Sequence, residues 1–195
     1  MKSNELINIG SKLLREKNIN SHKLDSEIIL SHILKIKREQ LLISDKEVSH
    51  QDFSTFNKML TRRSNKEPIA YITNQKEFRS KNVYVASSAL IPRPETELLI
   101  DPLISKFKGK NLFFLDVGVG SGCIIFSLLK ELSMSKGIGI DICKKALSIA
   151  KINLSNNNLE NRSNLQCKSI DQVFNMKFDL IISNPPYIIR REINQ

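Results

Sequence analysis

The chain has 195 residues, 41% of them apolar, and 30 Lys and Arg against 20 Asp and Glu give it a net charge of +10. That is room for one large or two small packed domains, and no apolar run is long enough to span a membrane as a helix. The start, Met1-Lys2-Ser3-Asn4-Glu5, lacks a signal-peptide core. Cys123, Cys143 and Cys167 are odd in number, show no C-x-x-C spacing and read as reduced, buried thiols in a cytoplasmic protein. No metal site is expected, because His22, His32 and His50 lie far from the cysteines in sequence. The basic residues are scattered, as in Lys35-Ile36-Lys37-Arg38, Arg62-Arg63 and Lys144-Lys145, so the charge reads as a solvated surface rather than a nucleic-acid patch.

Residues 3–66 carry helical periodicity. Leu6, Ile9, Leu13 and Leu14 form one stripe. Leu24, Ile28, Leu30, Ile33 and Leu34 form a second, with Ser21 as its N-cap. Phe53, Phe56, Met59 and Leu60 form a third, and turns fall at Asn18-Ile19-Asn20 and Ser44-Asp45. Residues 1–75 therefore predict a small helical bundle, and 76–92 a hairpin or linker through Lys76-Glu77-Phe78 and Asn82-Val83-Tyr84-Val85. Pro94, inside Leu90-Ile91-Pro92-Arg93-Pro94-Glu95-Thr96-Glu97, suits the first turn of a helix.

From 112 onward strand and helix patterns alternate at 112–116, 121–132, 137–141, 143–156, 163–167 and 178–183. Residues 93–195 thus predict an α/β domain with a doubly wound, Rossmann-like parallel sheet. Its first strand runs into Asp116-Val117-Gly118-Val119-Gly120-Ser121-Gly122, where glycines permit a tight turn and let a ligand approach the main chain. The spacing differs from the G-x-G-x-x-G of dinucleotide sites. Asp141, ending the next strand, can accept both hydroxyls of a ribose. Asp116 adds a carboxylate that opposes pyrophosphate and suits a cation. A ribose combined with a positive charge points to S-adenosylmethionine, held by Asp116, Gly118, Val119, Gly120, Ser121, Gly122 and Asp141. The apolar run 178–183 reads as a buried strand stopped by Asn184-Pro185-Pro186-Tyr187. An Asn amide at a strand's carboxyl end offers an acceptor and two donors to an amine or amide substrate.

The order of these features, from the helical N-terminus through Ile91-Pro92-Arg93-Pro94-Glu95-Thr96-Glu97, Asp116-x-Gly118-x-Gly120-x-Gly122, Asp141-Ile142 and Ala146-Leu147-x-x-Ala150-x-x-Asn153 to Asn184-Pro185-Pro186-Tyr187-Ile188, resembles the HemK-like release factor glutamine methyltransferases from end to end. The resemblance implies a Rossmann-like S-adenosylmethionine-dependent methyltransferase domain behind a small helical bundle that helps hold the substrate. It implies methyl transfer to the side-chain amide nitrogen of the Gln in the Gly-Gly-Gln loop of peptide chain release factors. Asn184, Pro185, Pro186 and Tyr187 would form the catalytic set, with Asn184 also at the cofactor. Nucleic acid would be involved only indirectly, through translation, and the complete protein would be a monomer.

Two departures from the family pattern stand out. An Asp commonly follows the third strand and contacts adenine, whereas Lys168 and Ser169 stand there; Ser169 becomes the candidate, and Asp171 could serve only with a shift. Family members also continue for roughly another third beyond Gln195, so the chain reads as truncated, with Phe178, Leu180, Ile181 and Ile182 on an open apolar edge prone to self-association. Two other functions share parts of the pattern: a nucleic-acid adenine N6-methyltransferase, which has the same Asn-Pro-Pro-Tyr, and a truncated form without catalysis.

Overall fold

The computed structural model describes residues 1–173 and 176–185. The chain divides into two compact units, Met1–Asn74 and the residues from Gln75 onward.

The first unit is helical: α1 (Ser3–Glu16), α2 (His22–Leu34), α3 (Arg38–Ile43), α4 (His50–Ser64) and α5 (Ile69–Thr73). Its core gathers Leu6, Leu14, Ile29, Leu30, Leu41, Phe56 and Leu60. Gly10 lets the helices close up, since a Cβ there would stand 2.9 Å from Ser26 Oγ and 3.0 Å from Phe56 Cζ. The inward face of α1 is Leu6, Ile7, Gly10 and Leu14. Ile9 and Leu13, expected in that stripe, lie on its flank and are exposed, as is Leu24 in α2. Ser21 stands at the N-cap of α2 but caps no backbone group. Its hydroxyl donates instead to Asp25 Oδ2 at 2.7 Å, where Arg63 Nε also donates at 2.7 Å. A buried carboxylate needs that pairing, which outbids the cap. Among the predicted ligand-poor histidines, His22 sits with Nδ1 2.8 Å from Ser11 Oγ.

The second unit opens with an antiparallel hairpin, β1 (Gln75–Phe78) and β2 (Lys81–Tyr84). Arg79 and Ser80 turn it with φ of 49° and 55°, the conformation a two-residue hairpin turn needs. The Arg79 guanidinium is tied to Asp101 of α6 (Pro94–Phe107). Then follow β3 (Phe113–Val117), α7 (Cys123–Glu131), β4 (Lys136–Asp141), α8 (Lys144–Ser155), β5 (Ser163–Cys167) and β6 (Leu180–Ser183). The four strands β3 to β6 form one parallel sheet in the order β5-β4-β3-β6. Helical periodicity and glycine punctuation therefore yield a helical unit followed by an α/β domain built on a parallel sheet.

Two expectations fail in this sheet. The last strand begins at Leu180 rather than 178, and it is not buried on both faces: Ile182 is inside, but Ile181 is 59% exposed. The reason is placement, because among the described residues β6 pairs only with β3 and lies at the end of the strand order. Asp179 is used locally, its carboxylate accepting from Phe113 N at 2.8 Å, while Phe178 stacks on Phe113. The cysteines also differ from expectation. Only Cys123 is buried, with burial pushing its thiol up to about 12; Cys143 is half-exposed and Cys167 exposed. Cys143 and Cys167 flank strand ends, where loops leave side chains uncovered.

Candidate functional site

Parallel register brings the relevant loops to one end of the sheet. Val117 pairs with Ile140 on one side and Ser183 on the other, and Asp141 pairs with Cys167. Gly118, Asp141, Lys168 and Asn184 therefore all lie at the carboxyl ends of adjacent strands, where open α/β sheets bind ligands.

The glycine loop is held from below. Gly118 N and Val119 N both donate to Ile140 O at 2.9 Å, and Gly122 N donates to Val119 O at 2.8 Å. Gly118, Gly120 and Gly122 have φ of 74°, 53° and 79°. The space around them differs. A Cβ on Gly118 would meet nothing within 4 Å, whereas one on Gly122 would stand 3.0 Å from Ala150 Cβ and 3.1 Å from its Cα. Gly118 thus faces open space that a ligand can enter, and Gly122 lets α8 pack against the loop. Gly122→Ala combines a left-handed backbone with a backbone clash and is expected to cost about 1–3 kcal/mol. Thermal unfolding at the parent midpoint would contradict that.

Val119 and Ser121, expected at the cofactor, turn their side chains inward and are almost fully buried. Their main chain is also engaged within the fold: Val119 N donates to Ile140 O, Val119 O accepts from Gly122 N, and Ser121 O accepts from Asn153 Nδ2.

Asp116 lies beneath the loop. Gly122, the N-cap of α7, has no side chain to cap with, and Asp116 Oδ2 takes over, accepting from Ile125 N at 3.1 Å. Its Oδ1 is buried without a partner among the described residues. Burial pushes the carboxyl up from 3.8 to about 7; the Ile125 N–H pulls the other way, and the charge of Asp141 adds to the rise. In the unfolded chain the group ionises near 3.8, so its contribution to stability is full below that pH and lost as pH climbs through 7. Asp116→Asn, neutral and of equal size, is expected to flatten the fall in melting temperature between about pH 4 and pH 7. An unchanged slope would show that Asp116 ionises freely.

Asp141 ties the loop to the next helix. Its Oδ2 accepts from Gly120 N at 2.9 Å and its Oδ1 from Cys143 N, the residue capping α8, at 2.8 Å. Each carboxylate oxygen keeps a further lone pair for a ligand hydroxyl. Beyond β5, Lys168 N donates to Asp141 O at 3.1 Å. Ser169 Oγ donates to Asp171 Oδ2 at 3.1 Å, and Ser169 N donates to Gln172 Oε1 at 3.0 Å. The Ser169 hydroxyl is thus engaged locally, and it brings the Asp171 carboxylate to the position beside it.

Asn184 follows β6 and is half-buried, and its Nδ2 donates to Thr96 Oγ1 at 2.8 Å. Ser183 Oγ donates to Val117 O at 2.9 Å, fastening the end of β6 to β3. Pro185 is exposed, and Pro186 and Tyr187 lie outside the described residues. Asn153 of α8 is a support that motif reasoning quoted without a role. Its Oδ1 accepts from Tyr84 N at 2.7 Å, and its Nδ2 donates to Tyr84 O and Ser121 O at 2.9 and 2.8 Å, joining β2 to the glycine loop. Among the described residues no cluster of His, Cys, Asp or Glu could hold a metal, and no helix is long and apolar enough to cross a membrane.

An open glycine turn, with a buried carboxyl beneath it that has one oxygen unpartnered among the described residues and a second carboxylate on the next strand, fits a ligand carrying both positive charge and a ribose. A parallel sheet with Asn-Pro beside that turn defines the methyltransferase class, and residues 88–195 match the methyltransferase small domain family. Residues 5–73 match the PrmC N-terminal domain. The chain is 37% identical over 188 residues to the release factor glutamine methyltransferase of Buchnera aphidicola subsp. Acyrthosiphon pisum, covering 95% of this chain and 67% of that protein. It is 40% identical over 172 residues to the protein of that name from Buchnera aphidicola subsp. Schizaphis graminum, covering 88% and 62%. A bifunctional methyltransferase of Rickettsia typhi is 36% identical over 209 residues, covering 96% and 40%. The chain belongs to the release factor glutamine methyltransferase family, and it spans about two thirds or less of the length of these curated relatives.

Proposed function

We propose that the protein transfers a methyl group from S-adenosylmethionine to the side-chain amide nitrogen of the Gln in the Gly-Gly-Gln loop of peptide chain release factors. The observation that carries this reading is the placement of Asn184: it leaves the sheet beside the glycine loop, half-buried, with an amide end available to a substrate.

S-adenosylmethionine supplies an electrophilic methyl group on a sulfonium. The main chain at Gly118 and Gly120 would line its entry, the Asp141 carboxylate would accept its ribose hydroxyls, and Asp116 steadies the turn from below through its bond to the Ile125 N–H. An amide nitrogen is a poor nucleophile because its lone pair is conjugated. Asn184 Oδ1 accepts one of the two amide hydrogens and the Pro185 carbonyl accepts the other. This would hold the nitrogen lone pair toward the methyl group while the N–C bond forms and the methyl–sulfur bond breaks, the sulfonium leaving as a neutral thioether, and would stabilise the positive charge that the nitrogen gains. The methylated nitrogen is a strong acid and loses its proton readily, so no strong base is required. The helical unit holds the rest of the release factor, and such a substrate places the reaction in the cytoplasm.

The net charge of +10 favours one rival, methylation of adenine in nucleic acid. Labelled S-adenosylmethionine offered with release factor, DNA and RNA in separate reactions discriminates between them. Label in release factor alone supports the proposal. Label in nucleic acid, with binding that falls steeply with salt, would replace it with the rival.

A further inference from the structure

The segment that opens α6 holds more chemistry than a helix start needs. Arg93 is the N-cap, Pro94 fills the first helical position and Thr96 is the third. Thr96 is 3% exposed. Threonine is a mediocre helix former, and a buried hydroxyl requires a partner. That partner is Asn184, whose Nδ2 donates to Thr96 Oγ1 at 2.8 Å across 88 residues of sequence.

The consequence lies in the two unlike ends of a carboxamide. One end accepts and the other donates, and a half-turn about the last side-chain bond exchanges them. A substrate amide nitrogen carries hydrogens, so it is held only by the accepting end; the donating end would meet it hydrogen to hydrogen. With Nδ2 engaged by Thr96, Asn184 Oδ1 is, among the described residues, the end left free. The geometry points to Thr96 as the positioning residue that holds the Asn184 carboxamide by its Nδ2, with the accepting end turned to the substrate. This inference rests on the reading of Asn184 as acceptor for the substrate amide. It also gives a chemical reason for a threonine inside Arg93-Pro94-Glu95-Thr96-Glu97, a stretch far in sequence from the residues at the reacting atoms.

The test is steady-state kinetics with S-adenosylmethionine and release factor on Thr96→Val, Thr96→Ala, Thr96→Ser, Asn184→Ala and the double variant T96V/N184A, with cofactor affinity from calorimetry. Valine copies the shape of threonine without the acceptor, and alanine is smaller and cannot clash. Both are expected to lower kcat by about tenfold to a hundredfold, with cofactor affinity and the KM for release factor nearly unchanged. Serine, which keeps the hydroxyl, is expected to restore most of the rate. In the double variant the losses should not multiply, because Thr96 acts only through Asn184. A dead Asn184→Ala beside a fully active Thr96→Ala would overturn the role of Thr96 and leave the reading of Asn184 standing. Multiplying losses, or a Thr96→Ser as slow as Thr96→Val, would also overturn it. An Asn184→Ala near the parent rate would overturn both, and the two failures are therefore told apart.

Discussion

Asn184→Ala is expected to lower methyl transfer to release factor by about a hundredfold to a thousandfold, the usual loss when a preorganised group facing developing charge is removed. Affinity for S-adenosylmethionine should hardly change, because the glycine loop and Asp141 are anchored to each other and to β4 without help from Asn184. The fold should survive, since the side chain is half-buried and follows the end of β6. Asn184→Asp is a sharper probe. It keeps an acceptor and the size but adds a negative charge, and it removes the N–H that Thr96 Oγ1 accepts. It should be as impaired as the Ala variant with the neutral amide substrate. Rapid-quench measurement of a single turnover separates chemistry from product release; a parent rate in the Ala variant would remove Asn184 from the reaction, and a parent rate in the Asp variant would show that the donor to Thr96 is not needed.

Asp141→Ala is expected to weaken S-adenosylmethionine binding at least tenfold, since each charge-assisted hydrogen bond to a ribose hydroxyl contributes about 1.5–3 kcal/mol. The structure adds a second effect. The same carboxylate accepts from Gly120 N and Cys143 N, so its loss also frees two backbone donors at the turn. A lower melting temperature without ligand should accompany the weaker binding. Asp141→Asn should be no rescue: one end of its amide would face a backbone N–H with another N–H. Calorimetry showing parent affinity in Asp141→Ala would exclude Asp141 from the ribose site, and an unchanged melting temperature would show that the loop holds without it.

Much of this architecture was legible in the residues because it is local. Alternating apolar runs and glycine turns place β3, α7, β4, α8 and β5 to within a residue or two, and Pro94 marks the start of α6. The glycine loop, Asp141 and Asn184 announce themselves through motif spacing at strand ends. What escaped depends on contacts distant in sequence. Thr96 meets Asn184 across 88 residues, and Asn153 meets Tyr84 across 69. Neither pairing leaves a periodic signal. The direction of Asp116 was likewise hidden: a carboxylate next to a glycine turn reads as a ligand contact, yet its first partner is the start of α7. Exposure depends on neighbours. Taken alone, the apolar run of β6 reads as a buried strand; taken as a sheet edge, it leaves side chains uncovered, and the exposed Ile181 at the end of the strand order agrees with the edge reading. In the helical unit the stripe containing Ile9 and Leu13 was drawn too wide, since an apolar residue on the flank of a helix satisfies the spacing without reaching the core.

On the proposed function, Asn184 presents a Gln side chain of a release factor to a methyl group bound at the glycine loop. The most direct measurement is tandem mass spectrometry of release factor incubated with the protein and S-adenosylmethionine, with the Asn184→Ala variant in parallel. The account predicts one added methyl on the side-chain nitrogen of the Gln in the Gly-Gly-Gln loop, and none with the variant. A methyl group on any other residue, or equal methylation of that Gln by the variant, would contradict it.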